Sequence, residues 1–316
     1  MPIRFPDLHP PAAPAGRTRS RDTLTSATRD AGDGDRSSRS RTSRPPSAAG
    51  KPSAGPVSET AGRQSGTSSP SMEPRWYSCA LSELGHVRKI NEDAFLDAQE
   101  EALWVVADGM GGHSRGDRAS QAIIEAMHTF KSKDNALESV DDLLERLNHA
   151  NDVCRNAAQG QVMGSTVAAL HINGDNAYVL WAGDSRIYRY RQGKFLQLTD
   201  DHSLVQELHR LGELTADEAE NHPSSNVITR AIGVADDIDI QVRQLDVQAG
   251  DRFLLCSDGL FKDVKPAEVE ANLALPSPRQ ALDELVRLAL RRGGTDNVTA
   301  IVVQMASSGA SESSHG

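Results

Sequence analysis

Residues 103–108 read LWVVAD, an unbroken apolar run that closes on an acidic side chain. Comparable runs recur as STVAALHI (165–172), NAYVLWAGD (176–184) and RFLLCSD (252–258). Short β-branched and apolar runs bounded by Gly, Asn and Asp predict buried strands. RIYRYRQGKFLQL (186–198) alternates about Gln192-Gly193 and predicts a hairpin, and DIDIQVRQLDV (237–247) sets Ile238, Ile240 and Val242 on one face of a half-buried strand. A helical period governs the segments between. Ala119, Ile123, Met127 and Phe130 recur at helical spacing across 117–130, as do Leu143, Leu144, Leu147, Ala150 and Cys154 across 138–157. A further helix is predicted over 278–291, stopped by Gly293-Gly294. Thr215 and Glu218 carry a capping-box pattern, which makes 203–225 a small helical insertion, long enough to act as a flap. Hairpins and paired helices without regular βαβ alternation predict an α+β domain of antiparallel sheets covered by helices.

Composition divides the 316 residues unevenly. Residues 1–72 are rich in Ser, Arg and Pro, as in SRSRTSRPPSAAGKPSAGP, and hold too few large apolar groups to offset the entropy of ordering. They are expected to be a disordered extension, followed by a folded domain over 73–306 and a flexible tail over 307–316. Residues 1–75 hold 12 Lys and Arg against 7 Asp and Glu, yet the whole chain has a net charge of −10, so the folded part is strongly acidic. That argues against nucleic acid as the main partner, since phosphate backbones bind clustered positive charge. No stretch approaches the roughly 18 consecutive apolar residues of a membrane span, and the N-terminus lacks the apolar segment of a signal peptide. Cys79, Cys154 and Cys256 are too widely spaced for a zinc site and odd in number, a pattern that suits a reducing, cytoplasmic compartment. A monomer is expected.

The acidic strand ends change the picture most. Asp108-Gly109 is matched by Asp258-Gly259 in FLLCSDGL, with variants at Asp184 in WAGDSR and Asp296 in GGTDNVT, and Glu92-Asp93 precede an alternating apolar stretch. One Asp-Gly is ordinary turn chemistry. Several in one domain would crowd carboxylates that repel one another unless cations lie between them. Mg²⁺ and Mn²⁺ suit such oxygen-only sites, and without a Cβ the Gly109 carbonyl can join the ligands. Two such ions activate water for in-line attack at phosphorus. Arg88, four residues before Glu92, adds a guanidinium suited to binding phosphate, or a simple surface pair with Glu92. Walker, kinase and Ser-His-Asp signatures are missing, as is a Cys-x₅-Arg loop.

Taken in order, GHVRKINEDAF, VVADGMGGHSRGDRAS, GSTVAAL, WAGDSRIYRY, LTDDHSLVQEL, NVITRAIG, RFLLCSDGLFKDV and GGTDNVTAIVV resemble the PPM family, the type-2C metal-dependent Ser/Thr protein phosphatases, in its bacterial branch. The resemblance covers roughly residues 76–305. It implies a four-layer sandwich, two stacked antiparallel sheets with helices on each outer side. It also implies that Asp93, Asp108, the Gly109 carbonyl, Asp258 and Asp296 hold two Mn²⁺ or Mg²⁺ ions, with Asp108 bridging them. Glu92 would accept hydrogen bonds from waters on the ions, Asp184 would help Asp258 hold a third, weaker ion, and Arg88 would bind the substrate phosphate. Where eukaryotic relatives carry a histidine as general acid, this chain has Met110, which leaves His113 or a water on the ions as proton donor, with His86 a third candidate read first as structural. The implied partners are phosphorylated proteins, including a Ser/Thr kinase and its targets. A pseudophosphatase adaptor would have lost a metal carboxylate, and all are present; an enzyme acting on small phosphoesters is the other alternative.

Overall fold

The computed structural model describes residues 75–111 and 115–306. The predicted extension over 1–72, the tail over 307–316 and His113 lie outside the described residues. Two antiparallel sheets carry the architecture. One has the order β1 (Trp76–Glu83), β11 (Val298–Met305), β10 (Arg252–Cys256), β7 (Arg186–Arg191) and β8 (Lys194–Gln197). The other runs β2 (Asp93–Ala98), β3 (Leu103–Met110), β5 (Val167–Asn173), β6 (Asn176–Ala182) and β9 (Gln241–Asp246), with the two-residue β4 (Gly164–Ser165) beside β3.

Alternate side chains of the apolar runs serve different layers, as the two-residue strand period requires. Trp104 and Val106 of β3 meet Phe253, Leu255 and Ile301 of the other sheet. Leu103, Val105 and Ala107 turn the other way, onto α1 (Gly116–His128) and α2 (Ala136–Ala158), where Ile123, Met127, Leu143 and Leu147 are buried. On the far side, Leu254, Cys256 and Val302 pack against Leu282, Leu285 and Ala289 of α7 (Pro278–Arg292), with Val269 and Leu273 of α6 (Pro266–Leu273). These contacts make four layers, helices–sheet–sheet–helices, and they explain why the strands read as continuous apolar runs: both faces are covered. Full burial of each Leu, Val or Phe contributes roughly 1.5–3 kcal/mol.

The hairpin turns at Gln192 and Gly193, whose φ of 50° and 76° are the left-handed pair of a type I′ turn. The 203–225 insertion forms α3 (Leu204–Arg210) and α4 (Ala216–Glu220), and the capping box is made: Glu218 N–H donates to Thr215 Oγ1 and Thr215 N–H to Glu218 Oε2. Two predicted strands end differently. Residues 237–240 stay outside β9, which begins at Gln241 where it gains a partner in β6, although Ile238 and Ile240 still pack on the α1–α2 layer. Asp258 does not close β10; it opens the one-turn helix α5 (Asp258–Phe261).

Candidate metal centre

Strand register brings the predicted acidic residues to one edge of the sandwich. Asp93 at the start of β2 stands directly across from Asp108 of β3, a like-charged cross-strand pair that is unfavourable by itself. Asp184 follows β6, Asp258 follows β10 and Asp296 precedes β11, all at that same edge. The sheets are tied together there. Ser257 Oγ donates to Asp93 Oδ2 at 2.7 Å and accepts from the Thr299 N–H at 3.0 Å. On the Asp108 side, its N–H donates to Thr166 Oγ1 and its carbonyl accepts from the Thr166 N–H and Ser165 Oγ.

The loop between β1 and β2 is fixed through Asn297. Its side-chain oxygen accepts from the Glu92 N–H at 2.9 Å, and its amide donates to the carbonyls of Leu84 and Ile90. That loop carries Arg88, whose Nη2 donates to Asp296 Oδ2 at 2.8 Å; its partner is thus Asp296 and not Glu92. His86 is occupied elsewhere, with Nε2 at 3.1 Å from the Leu290 carbonyl. Met110 lies against Gly164, packing in the β3–β4 pair.

Both Asp-Gly glycines answer to close backbone approach and not to a turn. Gly109 sits within β3, and a Cβ on it would fall 2.0 Å from the Gly116 carbonyl oxygen at the start of α1; one on Gly259 would fall 2.0 Å from the Asn297 carbonyl oxygen. Backbone oxygens so placed cannot yield as a flexible side chain would. Gly259→Ala is therefore expected to cost about 3 kcal/mol or more, whereas Gly174→Ala, where a Cβ meets nothing within 4 Å, bears only the left-handed strain of about 1–2 kcal/mol. Urea denaturation midpoints of the two variants check the difference.

The electrostatics are those of an under-neutralised cluster. Burial pushes the Asp93 carboxyl up to about 7, with Asp258 and Asp296 adding to the rise and hydrogen bonds from Thr299 and Ser257 opposing it. Burial likewise pushes Asp184 up to about 7, aided by Asp258 and Asp201. Asp108 is raised well above the ordinary range by burial and then by Asp93, Asp258, Asp184 and Asp296. Two carboxylate oxygens, Asp184 Oδ1 and Asp258 Oδ1, are buried with no hydrogen-bond partner. Unpaired buried carboxylate oxygens are costly and fit a group that supplies positive charge. In this arrangement, Lys262 contacts Asp258 and Arg88 draws on Asp296, and no three ligating side chains close on one point among the described residues. The donor set, oxygen only and anionic, fits hard divalent ions.

Sequence reasoning passes over Ser257, Thr166, Asn297 and Lys262. Only Lys262 carries a local signal, its position four residues after Asp258 on a helical turn. The cysteines stay out of the chemistry: all three are buried and free, and burial pushes Cys79 and Cys154 to about 11 and Cys256 to about 12. No helix among the described residues is long and apolar enough to cross a membrane.

A four-layer αββα sandwich with clustered aspartates at one edge is the architecture of PPM-type phosphatases. The family described as Protein phosphatase 2C matches residues 85–300. The serine/threonine protein phosphatase PstP of Mycobacterium tuberculosis is 36% identical over 234 residues, which cover 72% of this chain and 44% of that protein; the chain thus spans less than half the length of this relative. Among solved structures, PppA, described as a key regulatory component of T6SS in Pseudomonas aeruginosa, is 42% identical with a TM-score of 0.68, covering 73% of this chain and 97% of its own. The catalytic domain of PstP in complex with two manganese ions is 32% identical with a TM-score of 0.66, covering 73% and 98%. The chain belongs to the protein phosphatase 2C family of metal-dependent serine/threonine protein phosphatases.

Proposed function

We propose that this chain hydrolyses phosphoserine and phosphothreonine in proteins, with Mn²⁺ or Mg²⁺, and opposes a bacterial Ser/Thr kinase in the cytoplasm. The observation that carries the reading is the pair of partnerless buried oxygens, on Asp184 and Asp258, beside an Asp108 that burial and its aspartate neighbours push well above the ordinary range. Asp93, Asp108, the Gly109 carbonyl, Asp258 and Asp296 would hold two ions. When bound, the ions lower the pKa of a water enough for it to attack phosphorus at neutral pH and offset charge on the phosphoryl oxygens.

The chain's own groups do the rest. Ser257 and Thr166 fix Asp93 and Asp108 at their positions across the β2–β3 pair. Glu92, held through its backbone by Asn297 and Ser120, orients waters by accepting their hydrogen bonds. Arg88, 47% exposed on its side chain, is free to turn from Asp296 to a substrate phosphate. Arg88→Ala is expected to raise KM for a phosphopeptide about 10- to 100-fold, the worth of a charge-assisted hydrogen bond, with Mn²⁺ binding retained. Steady-state kinetics beside a Mn²⁺ titration check this, and an unchanged KM would remove Arg88 from phosphate binding. His113 is kept as a candidate proton donor; His113→Ala should slow a phosphopeptide more than an ester with a good leaving group.

The α3–α4 flap, joined to the scaffold by the Ser203–Ile228 bridge, would select among protein substrates. The likeness to PppA supports seeking those substrates among phosphoproteins of a T6SS. Hydrolysis of a phosphothreonine peptide with Mn²⁺, Mg²⁺ or EDTA tests the activity as a whole. Turnover that survives EDTA would overturn the metal-dependent reading, and a strong preference for small phosphomonoesters would overturn the protein-substrate one.

A further inference from the structure

Lys262 lies four residues after Asp258, at the C-terminal end of α5. Its ammonium contacts Asp258 Oδ2 and stands 3.9 Å from Asp296 Oδ2. Its side chain is 34% exposed, mostly withdrawn from water beside acidic groups that offset the loss. The neighbouring cation cannot replace it. Arg186 is committed to Asp201 through contacts of 2.7–3.1 Å and lies 3.6 Å over the Phe261 ring. Arg88 pairs with Asp296 and not with Asp184 or Asp258.

The charge balance gives Lys262 a definite place. Asp93, Asp108, Asp184, Asp258, Asp296 and Glu92 carry six negative charges, against four on two divalent ions and one on Arg88, which leaves one negative charge to be met. Lys262 is the cation already there, in contact with Asp258 and within 3.9 Å of Asp296.

We infer that Lys262 is a built-in counter-ion for the Asp184–Asp258 side of the centre, standing where a third divalent ion would otherwise bind, so that this chain takes two ions and not three. The inference rests on the metal-dependent reading above. It makes Lys262 a positioning residue, acting through Asp258 and not on the substrate.

The test is a Mn²⁺ titration of the full chain by isothermal calorimetry, with metal content counted at saturation, for the wild type, Lys262→Arg, Lys262→Gln and Lys262→Asp. Two ions are expected for wild type and Lys262→Arg, and a third, weaker site for Lys262→Gln and Lys262→Asp. Thermal melts in EDTA accompany the titration: Lys262→Gln should lower Tm without Mn²⁺ and recover most of the loss when Mn²⁺ is added. Three ions in the wild type, or two in every variant, would overturn the role of Lys262 while leaving the metal-dependent reading standing. A wild type that binds no Mn²⁺ would overturn both.

Discussion

Asp108→Asn is expected to abolish phosphopeptide turnover while making the metal-free chain more stable. Both effects come from one carboxyl. Asp108 is paired across the strands with Asp93 and feels the charges of Asp258, Asp184 and Asp296, so its ionised form is disfavoured in the absence of ions. The amide is nearly isosteric and removes that repulsion, while the backbone bonds of Asp108 to Thr166 are untouched. Each kcal/mol of relieved repulsion should raise Tm in EDTA by about 2–4 °C for a domain of this size. Activity moves the other way, because a proposed ligand of the ions loses its charge: a loss of about 4 kcal/mol of transition-state stabilisation is on the order of a thousand-fold in kcat. Melts in EDTA and turnover in Mn²⁺, run on the same preparation, check the pair. A variant that is less stable and still active would show Asp108 to be a structural residue.

The carboxylates behind that opposition of sign are legible in the amino-acid sequence, and their supports are not. The runs ending in Asp108, Asp184 and Asp258 announce buried strands, because strands covered on both faces leave no polar alternation to obscure them. The same property does not disclose the place of β11: it is buried almost throughout, but what pairs it with both β1 and β10 is long-range register, which no local window contains. β1 is hidden for the opposite reason, since WYSCALSE mixes buried and exposed positions without a clean period. Asp108 and Asp258 can be named from their shared Asp-Gly setting, and Asp93, Asp184 and Asp296 from their places beside predicted strands. Ser257, by contrast, reaches Asp93 across 164 positions and Asn297 reaches Glu92 across 205, so their roles exist only after the sheets have stacked. The Asp-Gly glycines show the limit of local reading in another way. Turn chemistry is the natural interpretation of each, yet Gly109 is fixed by the carbonyl oxygen of Gly116 at the start of α1, and Gly259 by that of Asn297, which a Cβ would strike.

The metal-free chain should melt at a higher temperature at pH 5.5 than at pH 8, and Mn²⁺ should reverse that order. Asp93 and Asp184 carry folded-state pKa values of about 7 against an ordinary 3.8, raised first by burial and then by neighbouring aspartates. A carboxyl raised on folding keeps a proton that the unfolded chain has released. Its contribution to stability is therefore fully present below the unfolded value and is lost as the pH climbs through the folded one. Between about pH 4 and 7 each such group withdraws on the order of 1.4 kcal/mol per pH unit, so the steepest decline without metal falls across the range where most proteins are near their optimum. Divalent ions favour the ionised carboxylates and compete with protons for them, so their stabilisation should be larger at pH 8 than at pH 5.5. Melting curves at half-unit intervals from pH 5.5 to 8, in EDTA and in excess Mn²⁺, provide the measurement. An EDTA series in which Tm is level or climbs with pH would mean that these carboxylates are not crowded in solution, and would remove the electrostatic basis for placing the ions among them.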